Sequence, residues 1–79
     1  LKALWEVSAK DSQGNVSRGD ALAYRADNCL IKSTSRLVAI VGVKDLAVIE
    51  TEDAVLVVSF EEAQHVKGLV EQLADRAEA

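Results

Sequence analysis

Between Leu37 and Val58 three short apolar runs alternate with two polar breaks: Leu37-Val38-Ala39-Ile40-Val41, Leu46-Ala47-Val48-Ile49 and Ala54-Val55-Leu56-Val57-Val58. The rhythm extends upstream. Apolar segments begin near Ala21, Cys29, Leu37, Leu46 and Ala54, at intervals of eight, eight, nine and eight residues. Each is rich in Val, Ile and Leu, and each break carries turn formers: Arg25-Ala26-Asp27-Asn28, Lys32-Ser33-Thr34-Ser35, Gly42-Val43-Lys44-Asp45 and Thr51-Glu52-Asp53. Branched side chains suit a pleated backbone, and short strands at regular spacing mark a sandwich, a barrel or a stacked coil. Strands are predicted over about 21–24, 29–32, 37–41, 46–50 and 54–58. Leu37–Val58 then forms three successive rungs. Spacing alone leaves a β-helix-like solenoid and a meander of hairpins both open; the lack of Asn-Gly or Asp-Gly pairs in the breaks favours the coil. The runs are continuous rather than alternating, which predicts strands covered on both faces. The expected covers are a helix on one side and another domain or subunit on the other.

The period changes at Ser59. Ser59 stands at an N-cap with Glu62 three residues on, the capping-box spacing, and Val58 and Ala63 occupy the staple positions. Glu61 and Glu62 suit the positive end of a helix dipole and Arg76 the negative end. Ala63, Val66, Val70, Leu73 and Ala77 recur at three- and four-residue steps, with Leu69 widening the stripe. The spacing predicts an amphipathic helix over about 60–77, with His65 off the stripe and in reach of Glu61. The fold class that follows is mainly β: short stacked strands in a β-helix-like or meander arrangement, closed by one C-terminal α-helix.

Upstream the pattern is weaker. Leu1 to Val7 mixes apolar and polar residues, with Leu4, Trp5 and Val7 as anchors; Trp5, without an aromatic neighbour in sequence, reads as a core or interface plug. Ser8 to Asn15 reads as a turn, because Gly14 and Asn15 tolerate positive φ and Asp11 or Ser12 can accept from nearby backbone N–H groups. A calcium loop is excluded by spacing, since Gln13 stands at a ligand position and no Glu closes twelve residues.

Composition narrows the function classes. Thirteen acidic against nine basic residues give a net charge of −4, and the basic residues are scattered, which argues against a nucleic-acid partner. No apolar run exceeds five residues, so no membrane span is expected. The one cysteine, Cys29, fits a reducing, cytoplasmic setting and reads as a small buried hydrophobe. With Leu1 first and no methionine, the expectation is a piece of a longer protein. With 79 residues, its own core is marginal.

Searching for chemistry yields no catalytic, cofactor-binding or metal residue. Neither Gly-rich phosphate-loop pattern occurs, and the single histidine, His65, permits no paired-histidine site and reads as a solvated surface residue. Glu50, Glu52 and Asp53 resemble an acid cluster but are read as a solvated turn. Lys32-Ser33-Thr34-Ser35-Arg36 carries hydroxyls and two cations suited to an anion, and is read as a polar turn at a sheet edge.

Gly14-Asn15-Val16-Ser17-Arg18-Gly19-Asp20, Asn28, the run Ser33 to Val57 and Gln64-His65-Val66-Lys67-Gly68-Leu69-Val70 together resemble the C-terminal, β-helix-like region of bacterial mannose-1-phosphate guanylyltransferase, including bifunctional forms with a type II mannose-6-phosphate isomerase. The most specific part is Val41-Gly42-Val43 with Asp45-Leu46, Val48-Ile49, Thr51, Asp53-Ala54 and Leu56-Val57. Trp5 matches a tryptophan of that family. The resemblance implies a parent enzyme that joins GTP and mannose 1-phosphate into GDP-mannose and pyrophosphate with magnesium. It implies that residues 1–79 are a non-catalytic C-terminal β-rich domain, since the Gly-rich nucleotidyl-transfer loop and the second catalytic motif are absent here. It also implies a structural or oligomerisation role, with the catalytic nucleotidyltransferase domain of the same parent chain as partner, a homo-oligomer, and no nucleic acid or membrane. The alternative is a free-standing protein–protein interaction module.

Overall fold

The computed structural model describes residues 1–78, with side-chain surroundings through Arg76. A short helix α1 (Lys2–Val7) precedes five strands, β1 (Val16–Arg18), β2 (Ala21–Tyr24), β3 (Leu30–Ser33), β4 (Val38–Val41) and β5 (Leu46–Glu50). β6 (Val55–Ser59), a 3-10 segment (Phe60–His65) and helix α2 (Val66–Glu78) follow. The chain is mainly β, with two sheets that do not close on each other.

From β1 to β5, consecutive strands are not neighbours. β1, β3 and β5 pair in parallel, with Val16 opposite Leu30 and Leu30 opposite Ala47. β2 and β4 form a second parallel pair, Ala21 opposite Val38. The chain therefore coils, contributing one strand to each sheet per turn. This corrects the expectation of three successive rungs in Leu37–Val58: Leu37 and Leu46 begin strands in different sheets, because the repeat is two segments long rather than one. β6 departs from the coil and folds back antiparallel on β5, Glu50 opposite Val55, giving the four-stranded order β1-β3-β5-β6.

The two complete turns differ at one corner. From the start of one two-stranded-sheet strand to the next coil, Ala21 to Leu30 and Val38 to Ala47, the path takes nine residues both times. From Val16 to Ala21 it takes five, and from Leu30 to Val38 eight. The three additional residues, Thr34, Ser35 and Arg36, enlarge the β3–β4 corner. The other corners are built alike. Asn28 and Asp45, at φ 56° each, and Gly14 at 82° stand two residues before the in-register Val16, Leu30 and Ala47. Arg25 and Gly42, also at positive φ, follow the register pair Tyr24–Val41. Short polar side chains and glycine tolerate this left-handed backbone best, which explains the turn formers in the breaks. Gly19 has a further reason: a Cβ there would land on the Ser33 carbonyl oxygen of the next coil.

The core lies on one face of the four-stranded sheet. Val16, Leu30, Ala47 and Val58 are buried there, and Leu4, Trp5, Ile49, Leu56, Phe60, Ala63 and Val66 pack against them. Ile31 and Val48, on the opposite face of β3 and β5, are also buried. Fully burying an aliphatic side chain contributes about 1.5–3 kcal/mol, so the few in these central strands carry much of the stability. Continuous burial is thus confined to β3 and β5. In β2 and β4 every second residue is exposed, so within this chain those strands are covered on one face only.

Further expectations change. α1 lies in the stretch read only as anchors, β1 in residues assigned no element, and Val7 is exposed rather than anchoring, since the six-residue helix turns only Leu4 and Trp5 inward. The closing helix begins as a 3-10 segment, in which Ser59 Oγ accepts from Glu61 N at 3.2 Å. Only Ala63 and Val66 of the predicted stripe pack on the core; Leu69, Val70 and Leu73 are exposed, so α2 runs past the sheet instead of covering it. Ala77, the last residue of that stripe, falls outside the described side chains. His65 meets Glu62, at 3.5 Å, rather than Glu61.

Candidate functional site

The enlarged corner holds the most organised polar group in the chain. Glu50, at the end of β5, is 1% exposed. Its Oε1 accepts from Thr34 N at 3.0 Å and Ser35 N at 2.9 Å; its Oε2 accepts from Ser35 Oγ at 2.6 Å and pairs with Arg36 Nε at 3.1 Å. The Ser33 hydroxyl closes the same turn by donating to the Arg36 carbonyl. The Ser35 hydroxyl and backbone, then the Thr34 N–H and the Arg36 charge, hold the Glu50 carboxyl below its usual range against the opposing effect of burial. Glu50 is therefore no part of a solvated turn. The hydroxyl- and cation-bearing segment Lys32–Arg36 does bind an anion, and that anion is the chain's own carboxylate, reaching across from the next coil. Glu52 and Asp53 remain exposed. Sequence contained the signal in two halves: a Glu at the end of an apolar run and an anion-binding turn, sixteen residues apart, which only the coil register joins.

A second buried polar residue ties the opposite corner. Asn15 donates from Nδ2 to the Ala26 carbonyl at 2.8 Å and accepts at Oδ1 from Cys29 N at 3.0 Å. Asp11 Oδ1 accepts from Gln13 N and Asn15 N, both at 2.9 Å, as the turn chemistry requires. The Asn15 N–H foremost holds the Asp11 carboxyl below its usual range. Cys29 is fully buried, and that burial pushes its thiol up, away from the thiolate a nucleophile needs.

Trp5 and Phe60 close the ends of the chain over the core face, ring centroids 5.9 Å apart and tilted by 51°. Trp5 Nε1 donates to the Gly14 carbonyl at 2.7 Å, and Lys10 Nζ sits 4.5 Å over the ring. With Lys2, Asn28, Asp45 and Glu61 these rings line an open cleft of about 340 Å³. Among the described residues no three His, Cys, Asp or Glu side chains gather as a metal site, and both Glu50 oxygens are occupied by protein donors. No described helix is long and apolar enough to cross a membrane. What the surface does offer is apolar area: Leu22, Tyr24 and Val41 on the two-stranded sheet, Val55 and Val57 on β6, and Leu69, Val70 and Leu73 on α2.

Comparison with known proteins also returns a β-helix. Residues 19–73 match the MannoseP isomerase/GMP-like beta-helix domain. The chain belongs to that β-helix domain family. It is 52% identical over 71 residues to the mannose-1-phosphate guanylyltransferase of Salmonella montevideo, covering 90% of this chain and 15% of that protein. It is 39% identical over 71 residues to the alginate biosynthesis protein AlgA of Pseudomonas aeruginosa, with the same coverage. Among solved structures, the mannose-1-phosphate geranyltransferase from Thermus thermophilus superposes with a TM-score of 0.81 at 32% identity, over 92% of this chain and 22% of that one. The chain thus corresponds to the C-terminal region of much longer enzymes and spans about 15% of the length of the curated relatives it matches.

Proposed function

We propose that this β-helix domain is a non-catalytic support of a cytoplasmic mannose-1-phosphate guanylyltransferase, bracing the catalytic nucleotidyltransferase part of the same parent chain and helping subunits associate. The parent reaction joins GTP and mannose 1-phosphate into GDP-mannose and pyrophosphate. Magnesium and the reacting groups belong to the catalytic part, not to this domain. One observation carries the reading: the chain matches guanylyltransferases over 90% of its own length but only 15% of theirs, and the polar cluster around Glu50 is spent on holding its own corner. The resemblance noted at Val41–Ala54 points the same way.

The test has two arms. The 79-residue chain, given GTP, mannose 1-phosphate and magnesium, is expected to form no GDP-mannose; turnover by the chain alone sinks the reading. A full-length guanylyltransferase carrying this domain is expected to lose thermal stability when the domain is cut away. An unchanged melting midpoint together with unchanged kcat would remove the supporting role.

A further inference from the structure

The coil ends unevenly. The larger sheet runs β1-β3-β5-β6 and the smaller only β2-β4, so the larger one continues past the last strand of the smaller. A strand position beside β4 is therefore vacant. One wall of it is bare backbone. Val38 N donates to the Asp20 carbonyl at 2.9 Å and Gly42 N to the Tyr24 carbonyl at 3.2 Å. Alternate residues of a parallel strand bond to the same neighbour, so Val38 and Ile40 serve β2 while Ala39 and Val41 turn their N–H and C=O groups to the free edge. Among the described residues no hydrogen bond reaches those groups.

The other wall is apolar. Register aligns Val57 with Val48, Val48 with Ile31, and Val55 with Glu50. Val55 and Val57 thus share the face of the larger sheet that looks into the coil. Ile31 and Val48 are buried on that face, whereas Val55 and Val57 are 60% and 62% exposed, because no strand of the smaller sheet stands opposite β6. The free edge of β2 has no such wall, since the larger sheet begins with β1 of the same coil.

Bare edge backbone and two uncovered valines together fit an extended segment, its backbone paired with β4 and its alternate apolar side chains laid on Val55 and Val57. Glu52 and Asp53, exposed beside the corner that leads into β4 and in no ion pair among the described residues, favour a basic residue at that end. A second folded copy stacked on the end of the coil meets β6 first, two strand positions past β4, and leaves the vacancy open. A free peptide finds only two residues of edge backbone and two valines, too little to hold it tightly. A segment tethered to the domain meets the same contacts at a millimolar effective concentration. The chain spans 15% of the guanylyltransferase it matches, so the remainder of such a polypeptide is always within reach.

We propose that an extended segment of the parent chain, from outside residues 1–79, adds as a strand to β4 and packs on Val55 and Val57. The proposal rests on the bracing role proposed above and gives it a place of attachment.

Backbone amide hydrogen exchange at residue resolution tests this, on a full-length guanylyltransferase carrying this domain and on the 79-residue chain. Ala39 and Val41 are expected to exchange freely in the 79-residue chain and at least about a hundredfold more slowly in the full-length enzyme, at every protein concentration. Free exchange in both overturns the proposal. Protection already present in the 79-residue chain overturns it by showing that β4 is paired from within. Protection that grows with concentration overturns it by making the cover a second molecule. Val41→Pro adds an independent check, because proline is tolerated where a strand N–H points off an edge. The 79-residue variant keeps its fold by circular dichroism, and the full-length variant loses the protection of Ala39 at least about tenfold. An unfolded 79-residue variant means that the Val41 N–H is used inside the chain, and undiminished protection of Ala39 means that no strand pairs there; either result overturns the proposal. Free exchange of Ala39 and Val41 together with a destabilising domain deletion removes this attachment and leaves the bracing role standing.

Discussion

The four-stranded and two-stranded sheets are made by the same coil, yet they end differently. One face of β1-β3-β5-β6 is closed by the chain's own ends: Trp5 and Leu4 from α1, Phe60, Ala63 and Val66 from the 3-10 segment and α2. The outer face of β2–β4 receives no cover among the described residues, although Leu22 and Val41 are aliphatic like Leu30 and Ile31. Apolar composition decides that a segment becomes a strand. Whether its outer residues are covered is decided by where the chain's ends fall. In a solenoid each turn contacts only its neighbours, so a face left bare by the helices stays bare along its whole length.

The comparison breaks most sharply under truncation. Leu30→Ala, in the covered sheet, is expected to cost about 2–5 kcal/mol in denaturant unfolding, whereas Leu22→Ala on the bare sheet stays within about 0.5 kcal/mol at concentrations where the chain is monomeric. Equal losses at the two positions would erase the distinction between the faces. Gly19→Ala comes next. It forces a side chain into left-handed backbone at φ 80° and onto the Ser33 carbonyl, where β1 turns into β2, for an expected loss of about 1–3 kcal/mol. A neutral result would mean the tight corner is looser than the coil geometry requires.

The enlarged corner is the pH-sensitive link between the sheets. Glu50 has a folded-state pKa held below its ordinary value, so its stabilisation is present in full above the ordinary carboxylate range. It is lost as pH falls through the lowered folded value. Asp11 acts in the same direction at the other end of the coil. Thermal melts of the wild-type chain should therefore fall on acidification. Glu50→Gln should melt lower at neutral pH and show a flatter acid slope; the same slope in both would take Glu50 out of the corner. The smallest effect is expected in α2. Gly68 is helical with open space around it, so Gly68→Ala should raise helicity by circular dichroism and add at most about 1 kcal/mol, as α2 lies largely off the core.

Much of this fold was legible in the sequence. The strands from Ala21 onward fall within a residue of where the apolar runs place them, because Val, Ile and Leu runs between turn formers leave few other conformations. The order in which they stack was not legible, since equal spacings of eight and nine residues hide a repeat of two segments. β1 escaped because Val16-Ser17-Arg18 has one apolar residue and gains its strand from pairing with β3. The helix stripe was real in sequence, but its pattern says only that a face is apolar, not that the same chain will cover it. For the polar cluster, local reading separated Glu50 from Ser35 and Arg36. The coil register alone makes them one group.

Oxidative footprinting of Tyr24 against Trp5 tests the two-sheet account most directly. Trp5 is half-buried under the chain's own ends, so it should label slowly while the chain is folded. Tyr24, exposed on the bare face, should label readily under the same conditions. Protection of Tyr24 equal to that of Trp5 in the dilute folded chain would contradict the account.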